Sequence, residues 1–159
     1  LFCGEFTEVK SFISNRYWSH DVEDNAYAIL KDKEERIAML HSTATQWQHR
    51  FSLDVTLTEG YLALCGILSG SKSYGQEELI IGRRNESATG TQQEEVITYL
   101  NDNSWKDEID EFARAVIHAD PILHGNSRDA LETMKLVFRI YYADAEWRAI
   151  FNIPCPDKS

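Results

Sequence analysis

The hydrophobic pattern of this chain changes period between its two halves, and that change limits the folds it can adopt. Apolar residues alternate with polar ones from Phe51 to Thr58, which is the period of a half-buried strand. From Ile109 onwards the apolar residues recur at helical spacing instead, and Ile109 forms one stripe with Phe112 and Val116. A run of strands followed by helices predicts an α+β fold.

Short polar turns separate the predicted strands, so the sheet is predicted to be mainly antiparallel. A parallel return needs a crossover of about a dozen residues or more, whereas the turn from Asp32 to Glu35 is much shorter. Residues 25–45 are therefore predicted to form a hairpin. The predicted strands are Thr7 to Trp18, Asn25 to Lys31, Arg36 to Thr45, Phe51 to Leu57, Tyr61 to Ile67 and Gln76 to Gly82.

Two helices are predicted in the second half. Ser104 is a candidate cap for the first, and Pro121 and Gly125 interrupt the helical pattern after it. Asn126 or Ser127 can then cap the second. Residues 83–93 are predicted to form a polar loop, and the chain after residue 151 is predicted to be irregular. The second helix carries Leu131, Met134, Phe138, Tyr141, Tyr142 and Ala145.

The predicted sheet has apolar side chains on both faces. Tyr27 and Ile29 point to one side of their strand, and Ala26, Ala28 and Leu30 point to the other. Two helices cannot cover both faces of a sheet this wide, so we expect an open-faced sheet with the helices packed on one face. The other face is predicted to meet another domain or a second subunit, which favours a homo-oligomer formed through the sheet.

Composition excludes several classes of partner. The chain has 159 residues, room for one domain, and a formal net charge of −10, which would repel the phosphates of nucleic acid or of an anionic membrane. Its apolar runs are far shorter than the roughly 20 residues of a membrane-spanning helix. The cysteines, Cys3, Cys65 and Cys155, match neither a zinc motif nor a disulfide framework, as expected in the cytoplasm. We expect no nucleic acid, no membrane and no metal.

One segment, His41 to Arg50, carries a high density of polar and aromatic groups, including two imidazoles and an indole. Aromatic faces stack on the C–H face of a sugar ring and polar groups bond to its hydroxyls, so Trp47 and His49 are candidate ligand-binding residues. The alternative is a polar outer face with one core tryptophan. Trp105 also has two possible roles, since it can bind a ligand or pack against the sheet at the start of its helix.

Several short pieces of the sequence match one family in order and spacing. They are Gly4-Glu5 with Val9, Val22 to Ala26, Arg36 to Ala38 with His41-Ser42, Thr58 to Leu62, Glu108 to Phe112, and Asn126 to Val137. The family that they resemble is the Gfo/Idh/MocA oxidoreductases, in its C-terminal domain, and the similarity runs from Leu1 to about Asp144.

The resemblance implies one half of a two-domain enzyme, an NAD(P)-dependent dehydrogenase of a sugar, polyol or sugar derivative. In that family an N-terminal Rossmann half binds NAD or NADP and supplies a catalytic lysine, and the C-terminal half holds the substrate. By the same resemblance Leu1 to Cys3 is the last turn of the catalytic helix, so the acid–base pair lies ahead of this chain. We expect residues 1–159 to be a single substrate-binding and oligomerisation domain, with no catalytic residue, no bound cofactor and no activity alone.

Two substrate-contacting positions of the family can be carried over. Counting back from the Glu59-Gly60 turn places one on His49, and the aromatic position four residues before Ile109 places the other on Trp105. Both matches are by position, because the family often has tyrosine there, and Trp47 joins them by proximity alone. The alternative is a stand-alone binding or scaffolding module that uses the sheet for a protein partner. An enzyme of another class with an unrecognised site is a third possibility.

Overall fold

In the part of the chain that the structure describes, the strands are antiparallel and form two sheets. One contains β1 (Phe6–Ser14), β2 (Asn25–Asp32) and β3 (Ile37–Thr43) in that order. The other contains β4 (Ser52–Leu57), β5 (Gly60–Cys65), β6 (Glu77–Arg83) and β7 (Gln93–Tyr99), also in chain order. The helices are α1 (Ser104–His118), α2 (Ser127–Ala143) and α3 (Ala145–Phe151).

This computed structural model describes residues 3–69, 71, 73–84, 93–123 and 125–156. The chain divides into two compact units. The three-stranded unit consists of Leu1–Gln46 and Pro121–Ser159, and the four-stranded unit is Trp47–Asp120. Strands and helices therefore occur together in both units, and the predicted α+β class with antiparallel strands is confirmed.

The core of the three-stranded unit lies between β2 and α2. Ala28 and Leu30 are buried against Ile140 of α2. Tyr27 and Ile29, which alternate with them, are exposed on the other face of the sheet. This alternation is the one that the sequence predicts, and it confirms helices packed on one face.

The junction between α2 and α3 is fixed to β1 by side-chain hydrogen bonds. Ser11 Oγ donates to the carbonyl of Ile140 over 2.6 Å, and the backbone N–H of Ile13 donates to Asp144 Oδ2 over 2.8 Å. The other carboxylate oxygen of Asp144 accepts from the N–H of Trp147 and so caps α3. Because Asp144 has an extended backbone, the predicted helix through Ala145 is wrong there, and two helices meet at Asp144.

The turn between β2 and β3 is built around a buried carboxylate. Asp32 is only 2% exposed and accepts hydrogen bonds from the backbone N–H groups of Gly4, Glu34 and Arg36, and from the Arg36 guanidinium. Burial raises the pKa of Asp32, but these hydrogen bonds outweigh it and hold the pKa below its ordinary value. The turn therefore stabilises the fold at neutral pH, and that contribution is lost as the pH falls through the folded-state pKa.

The strand β7 is absent from the sequence prediction. Its residues follow a segment predicted as a polar loop, of which residues 85–92 lie outside the described part of the chain. The signal for it was a β-branched and aromatic run from Val96 to Tyr99. The register confirms its place in the sheet, since Ile97 pairs with Leu79 of β6.

The helices begin close to their predicted positions. Asn126 caps α2 by accepting from the N–H groups of Arg128 and Asp129, as predicted. Ser104, predicted as the cap of α1, is instead its first helical residue and donates its hydroxyl to Asp102. The stripe predicted on α1 is present, and Ala113 in it is half-buried. Its large members are exposed, namely Ile109, Phe112, Val116 and Ile117.

Candidate functional site

Three segments leave the four-stranded sheet at the same end. Ser52 at the start of β4 pairs with Cys65 at the end of β5, and Cys65 pairs with Glu78 near the start of β6. Glu77 pairs with Tyr99 at the end of β7. The segment before β4, the β5–β6 loop and the segment after β7 therefore meet this end of the sheet. They carry, respectively, Trp47 and His49, residues 66–76, and the start of α1 with Trp105.

His49 lies against the β5–β6 loop. Its Nδ1 is 2.7 Å from Ser73 Oγ, and its ring packs against Tyr74 with the ring centroids 5.0 Å apart. The hydrogen bond and the ring contact together restrict rotation of the imidazole. Among the described residues, Ser73 is the hydrogen-bond partner that the structure gives His49.

The serine hydroxyls of the loop continue this contact. Ser73 Oγ lies 2.8 Å from Ser71 Oγ, which lies 3.1 Å from Ser69 Oγ. The backbone N–H of Ser73 also donates to Ser71 Oγ over 3.4 Å. The result is a chain of three hydroxyls that ends on the imidazole of His49. Such a group offers several donors and acceptors to a ligand rich in hydroxyls.

The backbone at the base of the loop keeps these hydroxyls in place. Gly66 has a φ of 72° and donates its N–H to the carbonyl of Phe51 over 3.0 Å. Leu68 donates its N–H to Glu77 Oε2 over 2.8 Å. These bonds join the start of the loop to the segment that carries His49 and to the first residue of β6.

The two candidate tryptophans are exposed. Trp47 is 95% exposed, so the alternative in which it is a core residue is wrong. Trp105 is 76% exposed in the first turn of α1, which leaves most of its indole free of the sheet. Near Trp105, Asp102 accepts the hydroxyl of Ser104 over 2.6 Å, and this hydrogen bond holds the pKa of Asp102 below its ordinary value. A carboxylate that is ionised at neutral pH therefore stands three residues before Trp105 in the chain.

Sequence reasoning proposed His49 as a candidate and did not predict the residues that it contacts. Ser73 and Tyr74 stand 24 and 25 positions further along the chain, in a segment that the sequence suggests only as a connecting loop. Ser69, Ser71 and Ser73 alternate along that loop, which was the available signal for a row of hydroxyls on one side of it. Only the register of β4 with β5 places that row beside His49.

A metal cluster and a membrane-spanning helix have requirements that the described ranges do not meet. No group of three or more His, Cys, Asp and Glu side chains there could hold a metal ion. No helix in that part of the chain is long and apolar enough to span a bilayer. Cys3, Cys65 and Cys155 are free thiols.

The fold of this chain is similar to part of a solved enzyme, UDP-N-acetylglucosamine 3-dehydrogenase GnnA from Acidithiobacillus ferrooxidans. The TM-score is 0.54 at 13% sequence identity, and the match covers 74% of this chain and 36% of that chain. Similarity at this level of identity concerns the fold alone. No protein-family profile matches the chain, and no curated protein matches it. What this chain shares with the dehydrogenase is therefore the fold of a region about one third of the enzyme's length.

Proposed function

We propose that this chain is the substrate-binding and assembly domain of an NAD(P)-dependent oxidoreductase that acts on a sugar, polyol or sugar derivative. The observation that carries the proposal is the fold likeness to UDP-N-acetylglucosamine 3-dehydrogenase over 74% of this chain. Because that match covers 36% of the enzyme, it supports a domain that works beside another one. The proposed setting is the cytoplasm.

The proposed partner is an N-terminal Rossmann domain that binds NAD or NADP. This chain contains no G-x-G-x-x-G turn of the kind that cradles a pyrophosphate, so the cofactor belongs to the other half. The exposed stripe of α1, with Ile109, Phe112 and Val116, supports the same idea, because large apolar surfaces usually contact another domain or subunit. In this proposal the chain alone is inactive.

The proposed roles of the site residues follow from their chemistry. His49 bonds to a substrate hydroxyl, while Trp47 and Trp105 offer exposed indole faces on which the C–H face of a sugar ring can stack. The hydroxyls beside His49 add further hydrogen-bonding groups. None of these groups transfers a proton or hydride in this proposal; they bind and orient the substrate.

His49→Ala is expected to weaken substrate binding in the protein joined to its cofactor-binding half. Removing a group that binds ground and transition states alike raises KM and leaves kcat little changed. Loss of one hydrogen bond of this kind costs about 1–3 kcal/mol when its partner is left unpaired, and the KM for the cofactor should not change. The measurement is steady-state kinetics with substrate and cofactor varied separately.

His118→Ala is the matched control, because His118 is an exposed histidine in the last turn of α1, away from the Ser73 loop in sequence. It should leave both KM values as they are. A well-folded His49→Ala enzyme with the KM of the parent protein would remove His49 from the site.

We also propose that the chain assembles through the exposed face of its three-stranded sheet. Phe12 pairs with Tyr27 in the register, and Met39 pairs with Ile29. All four are exposed and form an apolar patch on the face opposite α2. A stable protein dimer usually buries roughly 1,600 Å² of surface in total, divided between the two partners. A sheet face of this width can supply a large part of the area that one partner buries.

Ile29→Lys is expected to convert the oligomer to monomers at tens of micromolar, because it adds a charge at the centre of the patch beside Lys10, its partner in β1. Val22→Lys is the control, since Val22 is 56% exposed against 55% for Ile29 but lies outside the strands. Mass by light scattering decides between them. A parent chain that is already monomeric, or a Val22→Lys change that dissociates it equally, would argue against this interface.

A further inference from the structure

We propose that Ser73 is a positioning residue that holds His49 in the tautomer with its hydrogen on Nε2, so that His49 donates a hydrogen bond to an oxygen atom of the ligand. The identity of that ligand, a hydroxylated sugar or polyol, rests on the proposed function. The control of the ring by Ser73 rests only on the geometry of the loop.

The hydrogen bonds of the serine row can run towards His49, and this is the direction of donation in the proposal. Ser71 Oγ accepts from the backbone N–H of Ser73 and can accept from Ser69 Oγ. These two bonds use both lone pairs of Ser71 Oγ. Its own hydrogen is then donated to Ser73 Oγ, 2.8 Å away. Ser73 Oγ in turn donates to Nδ1 of His49 over 2.7 Å. Donation in this direction gives each of the three hydroxyls an acceptor.

An imidazole that accepts at Nδ1 carries its hydrogen on Nε2 when it is neutral. His49 then presents a donor, and the matching group on a ligand is an oxygen with a free lone pair, such as a hydroxyl or carbonyl oxygen. The tilted contact with Tyr74 disfavours the turn of the ring that would place Cδ2 beside Ser73 in place of Nδ1. At the far end of the row, Ser69 Oγ donates inwards and is left able to accept a hydrogen bond from a ligand hydroxyl.

The tautomer can be read directly from the chain by long-range ¹H–¹⁵N correlation spectra of its histidines at a pH where they are neutral. The His49 signals are assigned by their loss in His49→Gln. We expect Nε2 to carry the hydrogen and Nδ1 to have the shift of a hydrogen-bonded acceptor. Ser73→Ala should move Nδ1 towards the value of an unbonded nitrogen and produce a mixture of tautomers, and Ser73→Thr, which keeps the hydroxyl, should restore the original spectrum.

Two further variants make the result specific. Ser71→Ala removes the donor to Ser73 and should weaken the tautomer preference without abolishing it, whereas the signals of His118 should stay unchanged in every variant. A parent chain in which Nδ1 carries the hydrogen overturns the proposal. So does a Ser73→Ala spectrum identical to that of the parent.

Kinetics separate this proposal from the proposed function. In the protein joined to its cofactor-binding half, Ser73→Ala should raise the substrate KM about 3- to 10-fold, the effect of one hydrogen bond, with Ser73→Thr close to the parent. If His49→Ala leaves the KM unchanged while the spectra behave as expected, the substrate assignment fails and the positioning of His49 by Ser73 stands. If the KM rises in His49→Ala but the Ser73→Ala spectrum does not change, the positioning role is wrong and the substrate site stands.

Discussion

Gly66→Ala is expected to lower the free energy of unfolding by about 2–5 kcal/mol, whereas Gly75→Ala should cost only about 1–2 kcal/mol. Both glycines belong to the β5–β6 connection and have a positive φ, 72° at Gly66 and 81° at Gly75. A Cβ at Gly66 would lie 2.1 Å from the backbone oxygen of Gln76, but a Cβ at Gly75 would meet nothing within 4 Å. The backbone strain is therefore common to both variants, and only Gly66→Ala adds a close contact with the backbone oxygen of Gln76.

The larger effect arises because the backbone oxygen at Gln76 cannot move freely. Glu77, the next residue, begins β6, and Glu78 pairs with Cys65 immediately before Gly66. Relieving the contact between the new Cβ and the Gln76 oxygen must therefore shift the paired ends of β5 and β6. Backbone shifts of this kind make overpacking cost about 1–3 kcal/mol. The same shift would move the base of the loop that holds Ser73 beside His49.

Urea unfolding of the two variants and the parent chain measures the difference, and the His49 spectrum reports on the loop. Gly66→Ala should lose the Nδ1 hydrogen-bond signature in addition to stability, and Gly75→Ala should keep it. Equal losses of stability in the two variants would mean that the close approach at Gly66 is relieved at no cost.

Local patterns predicted the three strands β1, β2 and β3, because their signals are local. The alternation of Tyr27 and Ile29 with Ala28 and Leu30 marks two faces of one strand, and burial follows it. The strand β7 was missed because Glu94 and Glu95 open it with charges, so that its apolar part is short. Those two glutamates are both exposed, as an edge strand permits.

The candidate site was predictable only in part. A single aromatic and imidazole-rich segment made Trp47 and His49 candidates, since those residue types carry recognisable chemistry. The partner of His49 depends on the register between β4 and β5 and on the conformation of a loop, neither of which has a signature in one sequence. The exposure of a side chain could not be predicted either. The apolar residues of α1 have the period of a buried stripe, but the large ones are exposed in this chain.

Trp147→Ala is expected to destabilise the chain by about 3–5 kcal/mol, the range for loss of a buried large aromatic side chain. Trp147 is 6% exposed, and its ring lies 4.4 Å from that of Phe151 and 6.4 Å from that of Tyr141, measured between centroids. It therefore ties α3 to the end of α2. Removal of the indole leaves a cavity between α3 and Tyr141, and α3 can close that cavity only by changing its position against the end of α2.

Trp105→Ala is the matched control, the same substitution at a tryptophan that is 76% exposed, and its effect should stay within about 0.5 kcal/mol. Urea unfolding followed by far-UV circular dichroism measures both variants without depending on indole fluorescence. A stable Trp105→Ala chain also allows any rise in its substrate KM to be attributed to binding and not to folding. A cost of less than about 1 kcal/mol for Trp147→Ala would mean that α3 packs elsewhere, because so large a buried ring cannot be removed from this contact at that cost.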